Sequence, residues 1–267
     1  MQNIFHKQFK CISAAFVSGV LMLCTLSGCQ EKQVVLDQLD SADIIGTDEM
    51  LNFSQPQQDE EIAVITVKDY GDIKIKLFPE ESPKGVENFK TLIEQGYYDE
   101  LIFHRIIDSF AVQGGDPKGN GEGGNDCWNS GGFAQTISPN LHHFVGAVAY
   151  ATGEDKLNGS QFYIVTGQEI TEEYFTLLKD QYGMRFDPAV MQMYYRMGGQ
   201  PTLDSDYEVF GQVIGGMENA LAMQKVETDA KTGKPKKSVV IEKAEIVKYD
   251  GSGTEYLSFD GTPAQIS

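Results

Sequence analysis

Arg105 and Gln113 stand eight positions apart in a stretch, residues 97–117, whose apolar residues alternate as in a bent strand. In a ladder of period two, an even separation puts both side chains on one wall when no bulge intervenes. A permanent cation and a neutral amide would then act side by side, the first as a fixed donor and the second as a hook for a carbonyl. Such a pair can stabilise a transition state by hydrogen bonding alone, with no covalent step. The plainer role for Arg105 is a surface ion pair with Asp99 or Asp108.

Other reactive side chains lack a comparable setting. His104, next to Arg105, should point to the opposite face as a satisfied core or rim histidine rather than a base. His142 and His143 are neighbours without carboxylates at ligand spacing, so no metal is assigned. Ser160 lacks the setting of a nucleophile elbow, and Cys127 has no histidine close in sequence. Residues 119–124 satisfy the pattern GxGxxG, but no helix follows and no βαβ unit surrounds them, so the match reads as accidental. Trp128 reads as packing its loop onto the domain. No cofactor is expected.

The N-terminus reads as an export signal. Lys7 and Lys10 precede an apolar run, residues 11–26, that is short for a membrane span, and Leu26-Ser27-Gly28-Cys29 follows. That ending resembles a bacterial lipobox, which implies cleavage after residue 28 and lipid on Cys29. Without residues 1–28 the chain keeps 19 basic against 39 acidic residues, a poor surface for nucleic acid. Anionic headgroups should repel it too, which leaves the acyl chains to hold it at a membrane. Of four cysteines only Cys127 lies past the anchor, so no internal disulfide is available and stability must come from the core. The expected plan is a signal at 1–28, an acidic tether at 29–60, a folded domain at 61–250 and a tail at 251–267.

Within the domain, two apolar runs at 62–67 and 73–77 flank Asp69-Tyr70-Gly71-Asp72 as a hairpin. Ser82-Pro83 opens a helix as N-cap and first-turn proline, with Val86, Phe89, Leu92 and Ile93 on one face and Gly96 as its stop. Residues 114–132 are loop. Residues 144–151, 161–166, 207–213 and 238–249 read as strands, and 217–226 as a second helix. The small residues Gly146, Ala147, Ala149 and Ala151 predict a close approach to one strand face. Many short strands without a βαβ rhythm indicate a mainly β fold with an antiparallel barrel.

Phe-His-Arg at 103–105, Gln-Gly-Gly-Asp-Pro at 113–117, Gly-Ala-Val-Ala-Tyr-Ala at 146–151, Asn-Gly-Ser-Gln-Phe-Tyr-Ile at 158–164 and Val-Phe-Gly-Gln-Val at 209–213 occur in order. Together they resemble the cyclophilin-type peptidyl-prolyl isomerases from about residue 62 to residue 248. The resemblance implies a closed eight-stranded antiparallel barrel, a helix over each end, and a peptide groove on the outside. Carried over by motif, Arg105 and Gln113 would be catalytic. Phe110, Ala111, Ala151, Thr152, Gln161, Tyr163, Leu203 and Tyr207 would bind substrate, Gln161 either orienting Arg105 or holding substrate backbone. Ala111 stands where the family usually has Met, Thr152 where it has Asn, Tyr163 where it has Phe and Tyr207 where His is common. Thr202 replaces a Trp associated with cyclosporin binding. Core packing alone would also explain Phe110 and Tyr163.

The resemblance implies isomerisation of X-Pro bonds in proline-containing peptides and unfolded exported proteins, at the extracytoplasmic face of a bacterial membrane. The rival is a peptide-binding or chaperone-like lipoprotein with little turnover. Where the family has a short loop, residues 169–201 form an insertion that reads as two helices, 172–182 and 188–197. Its Met and Tyr residues would pack on the barrel, or in part flank the groove and meet client chains.

Overall fold

The computed structural model describes residues 44–264 and 266. In chain order it begins with β1 (Ile44–Ile45), β2 (Glu61–Val67), β3 (Gly71–Leu77), α1 (Pro83–Glu94), β4 (Arg105–Ile107) and β5 (Ala111–Gly114). Next come β6 (Phe133–Ala134), β7 (Ala147–Tyr150), β8 (Leu157–Asn158), β9 (Phe162–Val165), α2 (Glu172–Tyr182), β10 (Arg185–Phe186) and α3 (Pro188–Met197). The last three are β11 (Val209–Gly215), α4 (Met217–Met223) and β12 (Ile241–Lys248). No helix among the described residues is long and apolar enough to cross a membrane.

Eight strands form one antiparallel sheet in the order β12-β2-β3-β11-β7-β9-β5-β4. Alternation sorts their side chains. Val112, Val148, Phe162 and Ile164 face an inner core with Phe89 of α1 and Met217 of α4, while Ala111, Ala147, Ala149 and Tyr163 face outward. The barrel expected to be closed is an open half-barrel, because no ladder joins β4 to β12. On the approach to β4, where Glu100 is in left-handed backbone (φ +64), the chain meets the β12 edge only locally. The seam is laced by Glu100 N–H to Ile241 O (2.8 Å), Ile241 N–H to Leu101 O (2.8 Å) and Phe103 N–H to Val239 O (2.9 Å), around the bridge between Ile102 and Val240.

The bent strand expected over 97–117 is instead turns followed by a hairpin. Ser109, in left-handed backbone at φ +59, reverses the chain between β4 and β5. Ser82 does precede helical Pro83, yet its hydroxyl does not cap α1; it donates to buried Glu208 at 2.6 Å. The close approach predicted at Gly146 comes from Gln212, whose Nε2 would lie 2.5 Å from a Cβ placed there.

A second apolar core holds the insertion. Thr171 caps α2 by accepting from Tyr174 N–H, Asp187 caps α3 by accepting from Ala189 N–H, and left-handed Gly183 ends α2. Phe175, Leu178, Val190, Met193, Tyr194 and Met197 pack with Phe53, Phe144, Ile214 and Tyr256. The insertion's apolar surface therefore turns mostly inward.

Two segments differ from the expected plan. Residues 44–60, read as part of the tether, lie on the domain: β1 pairs in parallel with β10, and Asn52 is buried against His142 and Gln212. A polar, acidic composition hid the few side chains that dock, Asn52 and Phe53 above all. The tail folds back too, burying Tyr256 and Leu257 and donating Phe259 N–H to Met197 O. The signal at 1–28, Cys29 and the tether as far as residue 43 lie outside the described residues.

Candidate functional site

Strand register builds one row of side chains on the outer face of the sheet. Val209 of β11 pairs with Ala149 of β7, Ala149 with Tyr163 of β9, Tyr163 with Gln113 of β5, and Gln113 with Arg105 of β4. Cross-strand partners share a face, so five strands deliver a graded wall, apolar at β11 and cationic at β4. Arg105 and Gln113 do share a wall, as partners across a hairpin rather than along one strand.

At the cationic end Arg105 Nη1 donates to Gln113 Oε1 at 3.4 Å, and its guanidinium carbon lies 5.8 Å from the centre of the Phe110 ring. The plain ion-pair partners are engaged elsewhere: Asp108 Oδ1 lies 2.8 Å from Lys225 Nζ, and Asp99 Oδ1 accepts Ala244 N–H. Burial pushes the Arg105 guanidinium down to about 10, still far above neutrality, so it remains a cation. Gln113 Nε2 donates to Gln161 Oε1 at 3.0 Å. Gln161 Nε2 in turn donates to Gly123 O at 2.7 Å and Gly121 O at 3.2 Å. The accidental GxGxxG match therefore has a role of its own kind, its carbonyls fixing the orientation of two amides.

At the apolar end Ala111, Tyr163, Leu203 and Tyr207 pack together, with partly buried Phe110 and Ala151 against them. The Tyr163 and Tyr207 rings meet edge to face at 6.3 Å. Burial and then Asp206 push the Tyr207 phenol up to about 12, so it stays neutral. Ala151 N–H donates to Gln161 O, and the neighbouring Thr152 hydroxyl is buried with no partner among the described residues. All ten predicted site residues thus fall in one neighbourhood, Thr152 through its link to Ala151. A cavity of about 210 Å³, lined by Ile44, Ile137, Leu141, His142 and Asp204 among others, includes none of them.

The histidines are placed differently from expectation, whereas Trp128 packs its loop as expected. His104 is buried, but among the described residues neither ring nitrogen has a hydrogen-bond partner, so it is not the satisfied histidine expected. Burial lowers its pKa, which keeps the ring neutral. Trp128 packs edge-on against Phe133 at 5.5 Å while staying 42% exposed. His142 and His143 converge on a carboxylate that spacing did not reveal, Asp204, some sixty residues downstream. Ser160 donates to Gly115 O at 2.6 Å, and burial pushes the Cys127 thiol up, so neither is prepared as a nucleophile.

Comparison with known proteins agrees with this architecture. The family model for cyclophilin type peptidyl-prolyl cis-trans isomerase/CLD matches residues 62–246, more than half of the chain. A Staphylococcus epidermidis protein named for peptidyl-prolyl cis-trans isomerase activity is 38% identical over 189 residues, covering 71% of this chain and 93% of the relative. A similarly named Staphylococcus aureus protein is 40% identical over 159 residues, 60% of this chain and 79% of the relative. Among solved structures, a Cryptosporidium parvum cyclophilin type isomerase, crystallised in the presence of the dipeptide Ala-Pro, superimposes with a TM-score of 0.55 at 29% identity. That match covers 70% of this chain and 99% of the other.

Proposed function

Because the chain belongs to the cyclophilin-type peptidyl-prolyl cis-trans isomerase family, we propose that its outer groove turns X-Pro bonds in exported proteins at the extracytoplasmic face of a bacterial membrane. The enzyme class is peptidyl-prolyl cis-trans isomerase. The observation that carries the site assignment is the row Ala149-Tyr163-Gln113-Arg105, with Phe110 beneath the guanidinium.

Amide resonance sets a barrier of about 18–20 kcal/mol, and uncatalysed X-Pro exchange takes roughly tens to hundreds of seconds. Twisting the bond removes that resonance and leaves the prolyl nitrogen with a localised lone pair. Arg105, half-buried and still charged, donates to that nitrogen only as it becomes basic, which lowers the barrier without a covalent intermediate. Gln113, held by Gln161, binds a substrate carbonyl. Phe110, Leu203 and Tyr163 receive the proline ring, and Ala111 makes that pocket wider than a Met would. Thr152, next to Ala151, lines this end of the groove while its hydroxyl stays buried.

Export and anchoring rest on residues 1–29, where a basic start, an apolar run and Leu-Ser-Gly-Cys support lipid attachment at Cys29. Growth with labelled palmitate tests this. Label should enter the full chain and be lost, with release of protein from the membrane, in Cys29→Ser; equal labelling of both overturns the anchor. The altered positions Ala111, Thr152, Tyr163 and Tyr207 favour a second reading, a groove that binds unfolded chains with little turnover.

A further inference from the structure

A buried polar cluster joins the insertion to the groove. Asp204 follows Leu203 directly and is buried. Its Oδ1 accepts His143 N–H at 2.9 Å and lies 2.7 Å from His143 Nδ1. Its Oδ2 accepts the Tyr194 hydroxyl at 2.8 Å and lies 2.9 Å from His142 Nδ1. Beyond Asp204, His143 Nε2 sits 3.0 Å from the Tyr163 hydroxyl, and the two rings are nearly parallel at 19°.

The donor and acceptor roles follow from chemistry. An ionised carboxylate only accepts, so both imidazoles present Nδ1–H to Asp204. The far nitrogen, His143 Nε2, then shares a hydrogen bond with the Tyr163 hydroxyl. Burial by itself would raise the Asp204 carboxyl, but attraction and hydrogen bonds from His142 and His143 outweigh it and hold the group well below the usual range. Burial pushes the Tyr163 and Tyr194 phenols far up, so both keep their protons. One continuous path of hydrogen bonds therefore runs from Tyr194 of α3 through Asp204 and His143 to Tyr163 of β9.

Tyr163 is also a wall of the proline pocket, in contact with the patch formed by Ala111, Leu203 and Tyr207. A buried hydroxyl without a partner is costly, so the ring is held beside His143. The same carboxylate pins the turn between Leu203 and Tyr207, in which Asp206 N–H and Tyr207 N–H both donate to Leu203 O.

We propose that Tyr194, Asp204 and His143 are positioning residues through which the 169–201 insertion sets the affinity of the proline pocket. This rests on the isomerase reading of the groove. Steady-state kinetics on an Ala-Pro peptide and NMR titration of its Kd on the full chain test it, in wild type, Tyr194→Phe and Asp204→Asn, each also combined with Tyr163→Phe. Tyr194→Phe removes one oxygen remote from the groove and should raise KM and Kd about three- to tenfold, with kcat within about twofold. Asp204→Asn should shift them further in the same direction. With Tyr163→Phe present, each shift should shrink to less than about half its size on a logarithmic scale. A folded Tyr194→Phe with unchanged KM and Kd overturns the proposal, as do shifts of equal size in both backgrounds, which a merely structural role predicts. Absence of wild-type turnover would remove the isomerase reading, while the Kd comparison still decides the coupling.

Discussion

Replacing Asn52 with Leu removes a side chain of similar volume from the centre of the docked N-terminal segment. Asn52 is fully buried; its Nδ2 donates to His142 O at 3.0 Å and Gln212 Oε1 at 2.9 Å, and its Oδ1 accepts His142 N–H at 2.9 Å. The substitution leaves three buried polar groups without a partner, each costing about 1–3 kcal/mol. Taking the low end, since local relaxation can recover part of the loss, the sum is about 3 kcal/mol. For a domain of this size roughly 2–4 °C of melting temperature is lost per kcal/mol, so thermal unfolding should shift down by about 6–12 °C. Glu49→Gln, an exposed change nearby, should stay within about 0.5 kcal/mol of wild type. A fall of less than about 2 °C for Asn52→Leu would mean that the segment is the loose leash its composition suggests, and that its pairing with His142 contributes nothing.

Two further outcomes follow from the same contacts. Burial raises the Glu208 carboxyl despite hydrogen bonds from Ser82, Thr136 N–H and Asn158. A raised carboxyl favours the folded state below the unfolded pKa of about 4.3 and loses that advantage as pH climbs through the folded value. Urea midpoints of Glu208→Gln relative to wild type should therefore move in the variant's favour from about pH 4 to pH 7.5; a pH-independent gap would contradict this. Gln161→Ala frees Gln113 from its orienting partner and releases the loop carbonyls of Gly121 and Gly123. About 1 kcal/mol of lost binding corresponds to a fivefold rise in KM for a proline peptide, with kcat within about threefold. A hundredfold loss in kcat at constant KM would instead make Gln161 a catalytic group.

What the sequence revealed was governed by distance along the chain. The insertion helices begin and end where expected because their caps are local: Thr171, Asp187-Pro188 and Gly183 act within one turn. The groove was legible because its residues sit in the motifs that carry the family resemblance, and alternation adds that Ala111 and Gln113 share one face of their strand. Contacts between distant residues were not. Nothing near His143 points to Asp204, nothing near Ser82 points to Glu208, and the docking of 44–60 depends on a few side chains within a polar segment. Closure of the barrel was a long-range matter of the same kind: the motifs specify the strands, but nothing local to β4 or β12 says whether their edges pair, and here they meet only at the Ile102–Val240 bridge.

Catalysed cis-trans exchange of an Ala-Pro peptide by wild type and Arg105→Ala tests the role of the guanidinium most directly. Removing one fixed donor to developing charge costs about a hundredfold or more, and half-burial of Arg105 places it at the lower end. The account predicts a roughly hundredfold fall in kcat/KM with peptide Kd changed less than tenfold. Equal turnover by the two proteins, or binding without any rate above the uncatalysed exchange in wild type, would contradict it.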